Sequence, residues 1–232
     1  MRRERKSRSI SYFFAELFIL ILGITASFAL NEWRISRQES QQQVELLENF
    51  KKNLVADSTI LSAGVKQLTM QIEAAGKVLS VTNNVYSDSL VLNVLGLLNY
   101  VPFKSNDITY EEMKNLGNSR IIRNDSLLSS IIGLYENEYE KVINWSDVDG
   151  QHVKTQLIPF VERNFPFVPN LNYPLADTKT KRDLISAINQ DEFKHLVQFG
   201  ASYKMSTKFV YSEALKNIKH VLVLIDSTLS TN

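Results

Sequence analysis

The chain has 232 residues, 44% of them hydrophobic, with 26 basic against 25 acidic side chains, a net charge of +1 and no cysteine. That length suffices for one domain with a proper core. The near-neutral balance argues against nucleic-acid binding, and the missing cysteine excludes thiol catalysis and a disulfide framework, fitting an oxidising compartment without requiring one.

Residues 1–11 carry five basic side chains, Arg2, Arg3, Arg5, Lys6 and Arg8, ahead of an apolar run from Tyr12 to Leu30 that ends in Asn31-Glu32-Trp33-Arg34. As a helix, Tyr12 to Leu30 spans roughly 28 Å, against a hydrocarbon core of about 30 Å. Tyr12 and Trp33 stand where amphipathic rings suit the headgroup level. The expectation is a transmembrane helix over 12–33, retained in the bilayer as its lipid anchor. The tail 1–11 would be cytoplasmic, because only Arg34 and Arg37 oppose it on the other flank. Residues 34–232 then form an extracytoplasmic domain, periplasmic in a Gram-negative cell. The alternative, a signal peptide cut near Ser27-Phe28-Ala29, is disfavoured by the length of the apolar run, by Glu16 within it and by its helical continuation.

Glu16 is costly in a span and a functional suspect for that reason. Gly23 and Ser27 share its helix face, and small residues at four-residue spacing let two helices approach closely. This face is a candidate interface to a second copy or to another envelope membrane protein. The competing reading has Glu16 snorkelling to the headgroups from one turn inside the span, or pairing with Arg8.

From Ser36 to Val81 there is no proline, and Leu47, Leu54, Leu61 and Leu68 recur every seven residues beside a second row, Val65, Ile72 and Leu79. The stripe predicts that the membrane helix continues as one long helix. Asp57 and Gly64 weaken a coiled-coil seam, so packing against helices of the same domain is expected instead. A buried core helix follows over Ser89 to Tyr100. Thr109 and Glu112 have capping-box spacing, and Gly117-Asn118 is placed for a left-handed helix end. Asn124-Asp125-Ser126 supplies an N-cap for a helix carrying Leu127, Ile131, Leu134, Tyr135 and Tyr139. Asp147-Val-Asp-Gly150 is expected to break or bend the chain, and Pro159 to perturb the helix after it. Pro166, Pro169 and Pro174 mark a loop, whose Phe165, Phe167 and Tyr173 are expected to cover the bundle rather than form a binding lip. Helices over Lys179–Ile188 and Asp191 to about Leu229 complete the chain. The fold class is therefore all-α: a single transmembrane helix continuing into a long helix, followed by a helical bundle domain.

No catalytic, cofactor-binding or metal signature is visible. His152, His195 and His220 are scattered, and Glu136, Glu138 and Glu140 read as a solvated face. Asn124-Asp-Ser126 and Asn144-Trp-Ser146 match the N-glycosylation pattern, which matters only in a eukaryotic secretory pathway.

The pattern Glu16-x6-Gly23-x9-Trp33, with Ala29-Leu30-Asn31 before the tryptophan, resembles the anchor of an uncharacterised Bacteroidota family of single-span membrane proteins, domain of unknown function 6090. Thr109-Tyr110-Glu111, Lys114, Gly117-Asn118, Ile122 and Asn124 to Leu127, ending in Leu134-Tyr135, is similar to that family's second recurring block. Met113, Leu116 and Glu32 depart from it. The resemblance implies a bacterial envelope protein with a helical domain and carries no activity. The expected function is non-catalytic binding or scaffolding in the cell envelope, without cofactor. The alternative is a sensor or regulatory subunit signalling through a second membrane protein, and an enzyme of unrecognised type ranks third.

Overall fold

The structure, a computed structural model, describes residues 4–81, 85–115 and 117–230, with residues 4–11 and 118 described by their backbone alone. Eight α-helices run α1 (Glu4–Leu79), α2 (Asp88–Leu97), α3 (Ile108–Asn115), α4 (Asp125–Gly133), α5 (Tyr139–His152), α6 (Ile158–Asn164), α7 (Thr178–Ile188) and α8 (Asp191–Ser230). There is no strand among the described residues.

Helix α1 is unbroken for 76 residues, about 114 Å at 1.5 Å per residue. Its buried side chains follow a three-four alternation: Leu47, Phe50, Leu54, Asp57, Leu61, Leu68, Gln71, Ala75 and Val78, with Gly64 also inward. Helix α8 repeats the alternation through Val197, Lys204, Thr207, Tyr211, Ala214, Ile218, Val221 and Ile225. Two such stripes bury each other when the helices lie side by side. They run antiparallel, as Lys51 Nζ on Asp226 Oδ1 (2.6 Å) at one end and Lys194 Nζ on the Val81 carbonyl (3.2 Å) at the other show. Packing within the domain is thus the use of the leucine row, while Val65, Ile72 and Leu79 flank it half-buried. Asp57 and Gly64 do not weaken the seam; they occupy it.

Gly64 is there because a Tyr211 ring lies against it. A Cβ at this position would stand 2.7 Å from Tyr211 Cε2 and 3.2 Å from Val101 Cγ1. Tyr211 is fully buried and its hydroxyl donates to the Val101 carbonyl at 2.8 Å, so the ring has nowhere to retreat. Gly64→Ala should therefore destabilise by about 1–3 kcal/mol through overpacking, despite alanine's better helix propensity. Thermal unfolding followed by circular dichroism would check this, and an unchanged midpoint would mean the ring can move.

Helices α4, α5 and α6 join through two π-helical turns, Leu134–Glu138 and Val153–Leu157, into one rod packed on the α1–α8 pair. The break expected at Asp147–Gly150 does not occur. Asp149 and Gly150 are buried within α5: Asp149 finds Lys204, and Gly150 lets the Tyr100 ring approach to 2.9 Å from where its Cβ would be. The perturbation expected at Pro159 is the second π turn, which widens the backbone just before a residue that has no N–H to donate.

Local signals behave as their chemistry requires. Asn124 accepts from the Leu127 N–H at 3.1 Å, Asp177 from Thr180, and Ser87 from Leu90. Gly117 sits at φ 66°, the left-handed end of α3. The capping box at Thr109 is not formed. Thr109 lies inside α3, buried, where its hydroxyl accepts from Asn53 Nδ2 at 2.8 Å. Helix α2 buries Leu90, Val91, Val94 and Leu97 but leaves Leu92 exposed, so only one side of it is core.

The interior divides into two apolar clusters. One, nearer the N-terminal half of α1, joins Leu47–Leu68, Val101, Phe103, α3, α4 and the C-terminal half of α8. The other joins Ala74–Val78, α2, Phe160, Val168, Tyr173, α7 and Phe193–Ala201. Along the two long helices the changeover from one cluster to the other falls at buried polar residues, Gln71 on α1 and Lys204 and Thr207 on α8.

Candidate membrane face and buried polar belt

All the large apolar side chains from Tyr12 to Trp33 are exposed on α1, from Tyr12 at 74% to Trp33 at 61%, with Phe13, Phe14, Leu17, Phe18 and Phe28 among them. One helix near the N-terminus is long and apolar enough to cross a membrane, and none of its apolar window is buried against the rest of the protein. A soluble core helix would bury such residues; Leu47 and Leu54 farther along the same helix are at 0%. The first buried side chain is Gln43, ten residues past Trp33, or about 15 Å along the axis. The outermost tie to the domain is Arg123 on Glu39 at 3.2 Å.

Glu16, Gly23 and Ser27 fall within about 60° of one another around α1. Gly23 and Ser27 line a shallow notch with Ile24, Phe28 and Asn31. A Cβ on Gly23 would meet nothing within 4 Å, so no contact inside this chain requires glycine there. At the C-terminal end of this apolar stretch the Arg37 guanidinium stands 5.5 Å from the Trp33 ring centre, one helical turn on. Of the basic residues expected to flank the span, Arg2 and Arg3 lie outside the described residues. Arg5, Lys6 and Arg8 belong to α1, described by its backbone alone.

Beyond the apolar stretch, the polar chemistry converges on one irregular segment, residues 99–106, which lies against the bundle without helical bonds of its own. Buried backbone groups need partners, and helices on every side supply them. The Asn99 carbonyl accepts from Gln71 Nε2 (3.1 Å) and Lys204 Nζ (3.0 Å). The Val101 carbonyl accepts from Ser146 Oγ (2.7 Å) and the Tyr211 hydroxyl (2.8 Å). Asp57 Oδ1 accepts from both the backbone N–H and the side-chain amide of Asn106, at 3.0 and 2.6 Å, while Asp57 Oδ2 accepts from the Tyr139 hydroxyl at 2.9 Å. The Asn106 carbonyl accepts from the Tyr135 hydroxyl at 3.2 Å.

Lys204 and Asp149 form a buried ion pair, 2.9 Å apart with side chains 2% and 1% exposed. Burial pushes the Asp149 carboxyl up and the Lys204 ammonium down, each opposed by attraction to the other. Burial also raises Asp57, against the bonds from Tyr139 and Asn106 that favour its charged form. None of these residues was signalled as a site by the sequence. Their partners are 28 to 110 positions away in the chain, and no local pattern encodes such a distance.

The remaining chemistry-bearing residues do not assemble. His152 bonds the Leu196 carbonyl at 2.9 Å and packs its ring edge-on to Tyr203, while His195 and His220 are exposed. The acidic run is divided by the π turn: Glu136 accepts from the Tyr110 hydroxyl and Lys114, Glu138 from Lys141, and Glu140 faces solvent. Among the described residues no three His, Asp or Glu side chains are placed to hold a metal ion. Both glycosylation-like motifs are in structural use, Asn124 as a cap and Ser146 on the Val101 carbonyl.

The proline loop does two things at once. Phe165 packs on Phe193, and Val168 and Tyr173 are buried, as a cover should be; Phe167, expected to belong to the cover, instead points to solvent at 90% exposure, as does Leu175 at 82%. Asn170 and Leu171 both have positive φ, 55° and 56°, which costs a leucine more than an asparagine.

The chain matches no protein-family model, no curated protein and no solved structure.

Proposed function

We propose that this is a single-pass membrane-anchored protein whose helical domain binds or organises other cell-envelope components without catalysis. The observation that carries the reading is the exposed apolar girth of α1 from Tyr12 to Trp33, a stretch that no other described residue covers. The bias of Arg2, Arg3, Arg5, Lys6 and Arg8 over Arg34 and Arg37 supports an N-terminus in the cytoplasm and a domain in the periplasm, with α1 in the inner membrane. This agrees with what the resemblance to the Bacteroidota family implies.

Within the bilayer, the face of Glu16, Gly23 and Ser27 selects the partner, a second copy or another envelope membrane protein. Gly23 supports this, since close approach of another helix is the use left for a glycine that its own chain does not need. A second reading, a regulatory subunit acting through another membrane protein, is favoured by one specific observation: α1 has no break between its apolar stretch and the domain core.

The test is crosslinking in cells through a C-terminal tag, followed by mass spectrometry of the attached species. An envelope membrane protein or a second copy should be captured, and Glu16→Leu should weaken that association by about 3- to 20-fold, the range of interhelical hydrogen bonds in membranes. Capture that is identical with Glu16→Leu would remove the face from the interface. Recovery of the protein from the soluble fraction would remove the anchor.

A further inference from the structure

The segment between α6 and α7 stands apart in composition. From Asn164 to Ala176 no side chain is charged, on a chain that is 22% charged. It folds as a compact knob of two short 3₁₀ turns, Pro169–Leu171 and Tyr173–Leu175, tied to the bundle by Phe165 on Phe193 and by the buried Val168 and Tyr173. Phe167, Leu171 and Leu175 stay outside, at 90%, 58% and 82% exposure. The backbone of the knob is also poor in free donors. Pro166, Pro169 and Pro174 have no N–H, and the N–H groups of Leu171, Asn172, Leu175 and Ala176 are bonded to carbonyls of the knob itself. In water a free donor costs nothing; in a bilayer each one does.

The knob lies at the end of the domain farthest from Tyr12–Trp33. Arg123, just before α4, reaches Glu39, whereas Phe160 and Phe165 meet Phe193, in the cluster that holds Val78. Val78 is about 68 Å along α1 from Trp33. Three protruding side chains are too few for a stable protein interface, which takes about 20–30 residues a side. A bilayer asks for no matching surface, and burying one such side chain is worth about tenfold to a hundredfold in partitioning. The charges on the shoulders of the knob, Arg163, Lys179, Lys181 and Arg182 against Glu162, Asp177 and Asp183, nearly cancel, so a strongly charged partner is not favoured.

We propose that this knob inserts into a second lipid surface, facing the one that holds the anchor. Phe167, Leu171 and Leu175 pass below the headgroups and the charged shoulders stay at their level. The chain then bridges two membranes. The bridge rests on the anchor proposed above; the insertion of the knob does not.

The experiment reconstitutes the full chain into dense, sucrose-loaded vesicles of phosphatidylethanolamine and phosphatidylglycerol. Light, protein-free vesicles of phosphatidylcholine carrying a fluorescent lipid are then added. The light vesicles should sediment with the dense ones, and equally so in about 0.5 M salt, because apolar insertion is not screened. Phe167→Ser/Leu175→Ser should lower that capture at least about tenfold at an unchanged melting temperature, since both side chains lie outside the core. Equal capture by the parent and the double variant would overturn the proposal. So would the absence of capture while the chain sediments with the dense vesicles, or capture that requires protein in the light ones. A chain left in the supernatant would remove the anchor instead. The knob is then read from flotation of the free chain with the light vesicles, and flotation that is absent, or equal in parent and double variant, would overturn it.

Discussion

Lys204→Met is expected to lower the unfolding free energy of the helical domain by about 3–5 kcal/mol at neutral pH. The lysine Nζ makes three contacts of 2.9 to 3.0 Å, two to Asp149 and one to the Asn99 carbonyl, on a pair of side chains only 2% and 1% exposed. Methionine retains most of the stem and leaves the carboxylate alone in an apolar surround. The double variant Lys204→Met/Asp149→Leu should recover most of the loss, because a buried pair exchanged for apolar side chains is commonly neutral or better. The Asn99 carbonyl keeps Gln71 as donor in both. The deficit of the single variant should also shrink as pH falls, since an unpaired, buried Asp149 escapes its penalty by taking a proton. Chemical denaturation of the full chain in detergent, followed by far-ultraviolet circular dichroism, measures all three. A single variant within about 1 kcal/mol of the parent would show the pair to be hydrated.

Asp57→Leu should cost about 3 kcal/mol or more, since three donors lose their acceptor: the Tyr139 hydroxyl, the Asn106 backbone N–H and the Asn106 amide. Asp57→Asn should stay within about 1 kcal/mol at neutral pH, because the Tyr139 hydroxyl can turn and accept from the new amide. The pH dependence has a definite sign. Desolvation raises the native Asp57 pKa, so the folded state holds this proton more tightly than the unfolded chain does. Its contribution to stability is fullest below the ordinary carboxylate range and is lost as pH rises through the native value. The parent should therefore lose stability relative to Asp57→Asn as pH rises from the ordinary carboxylate range through the raised native value, as equilibrium denaturation at each pH would show. A difference that grows in the parent's favour over that range would mean that the hydrogen bonds outweigh burial.

What could be read from the sequence was what is local. The leucine row of α1, the cap at Asn124, the left-handed Gly117 and the length of α8 all follow from contacts within a turn or two of each residue. What escaped reading depends on partners far along the chain. Asp57 and Gly64 look like flaws in a seam until Asn106, Tyr139 and the Tyr211 ring are placed against them. Asp149 and Gly150 look like a helix end until Lys204 and Tyr100 arrive. Lys204 sits inside the stripe of α8, where a lysine reads as solvent-facing in any window that omits α5. The segment 99–106 has neither period, because its order comes from side chains of α1, α5, α8 and the π turn Leu134–Glu138 rather than from its own ladder. The candidate membrane face divides in the same way. Its composition and spacing were legible, whereas the lack of any intramolecular need for Gly23 required coordinates.

The unbroken α1 has a mechanical consequence. Between Trp33 and Leu79 it extends about 69 Å without a joint, and α8 braces most of that length. If Tyr12–Trp33 crosses a bilayer, the axis inside the lipid and the axis of the domain are one line. A change of about 10° in how the span leans, well inside the range such helices adopt when bilayer thickness changes, then swings the end near Leu79 sideways by about 12 Å. Membrane thickness would in this way set how far from the anchor point the tip of the protein can search.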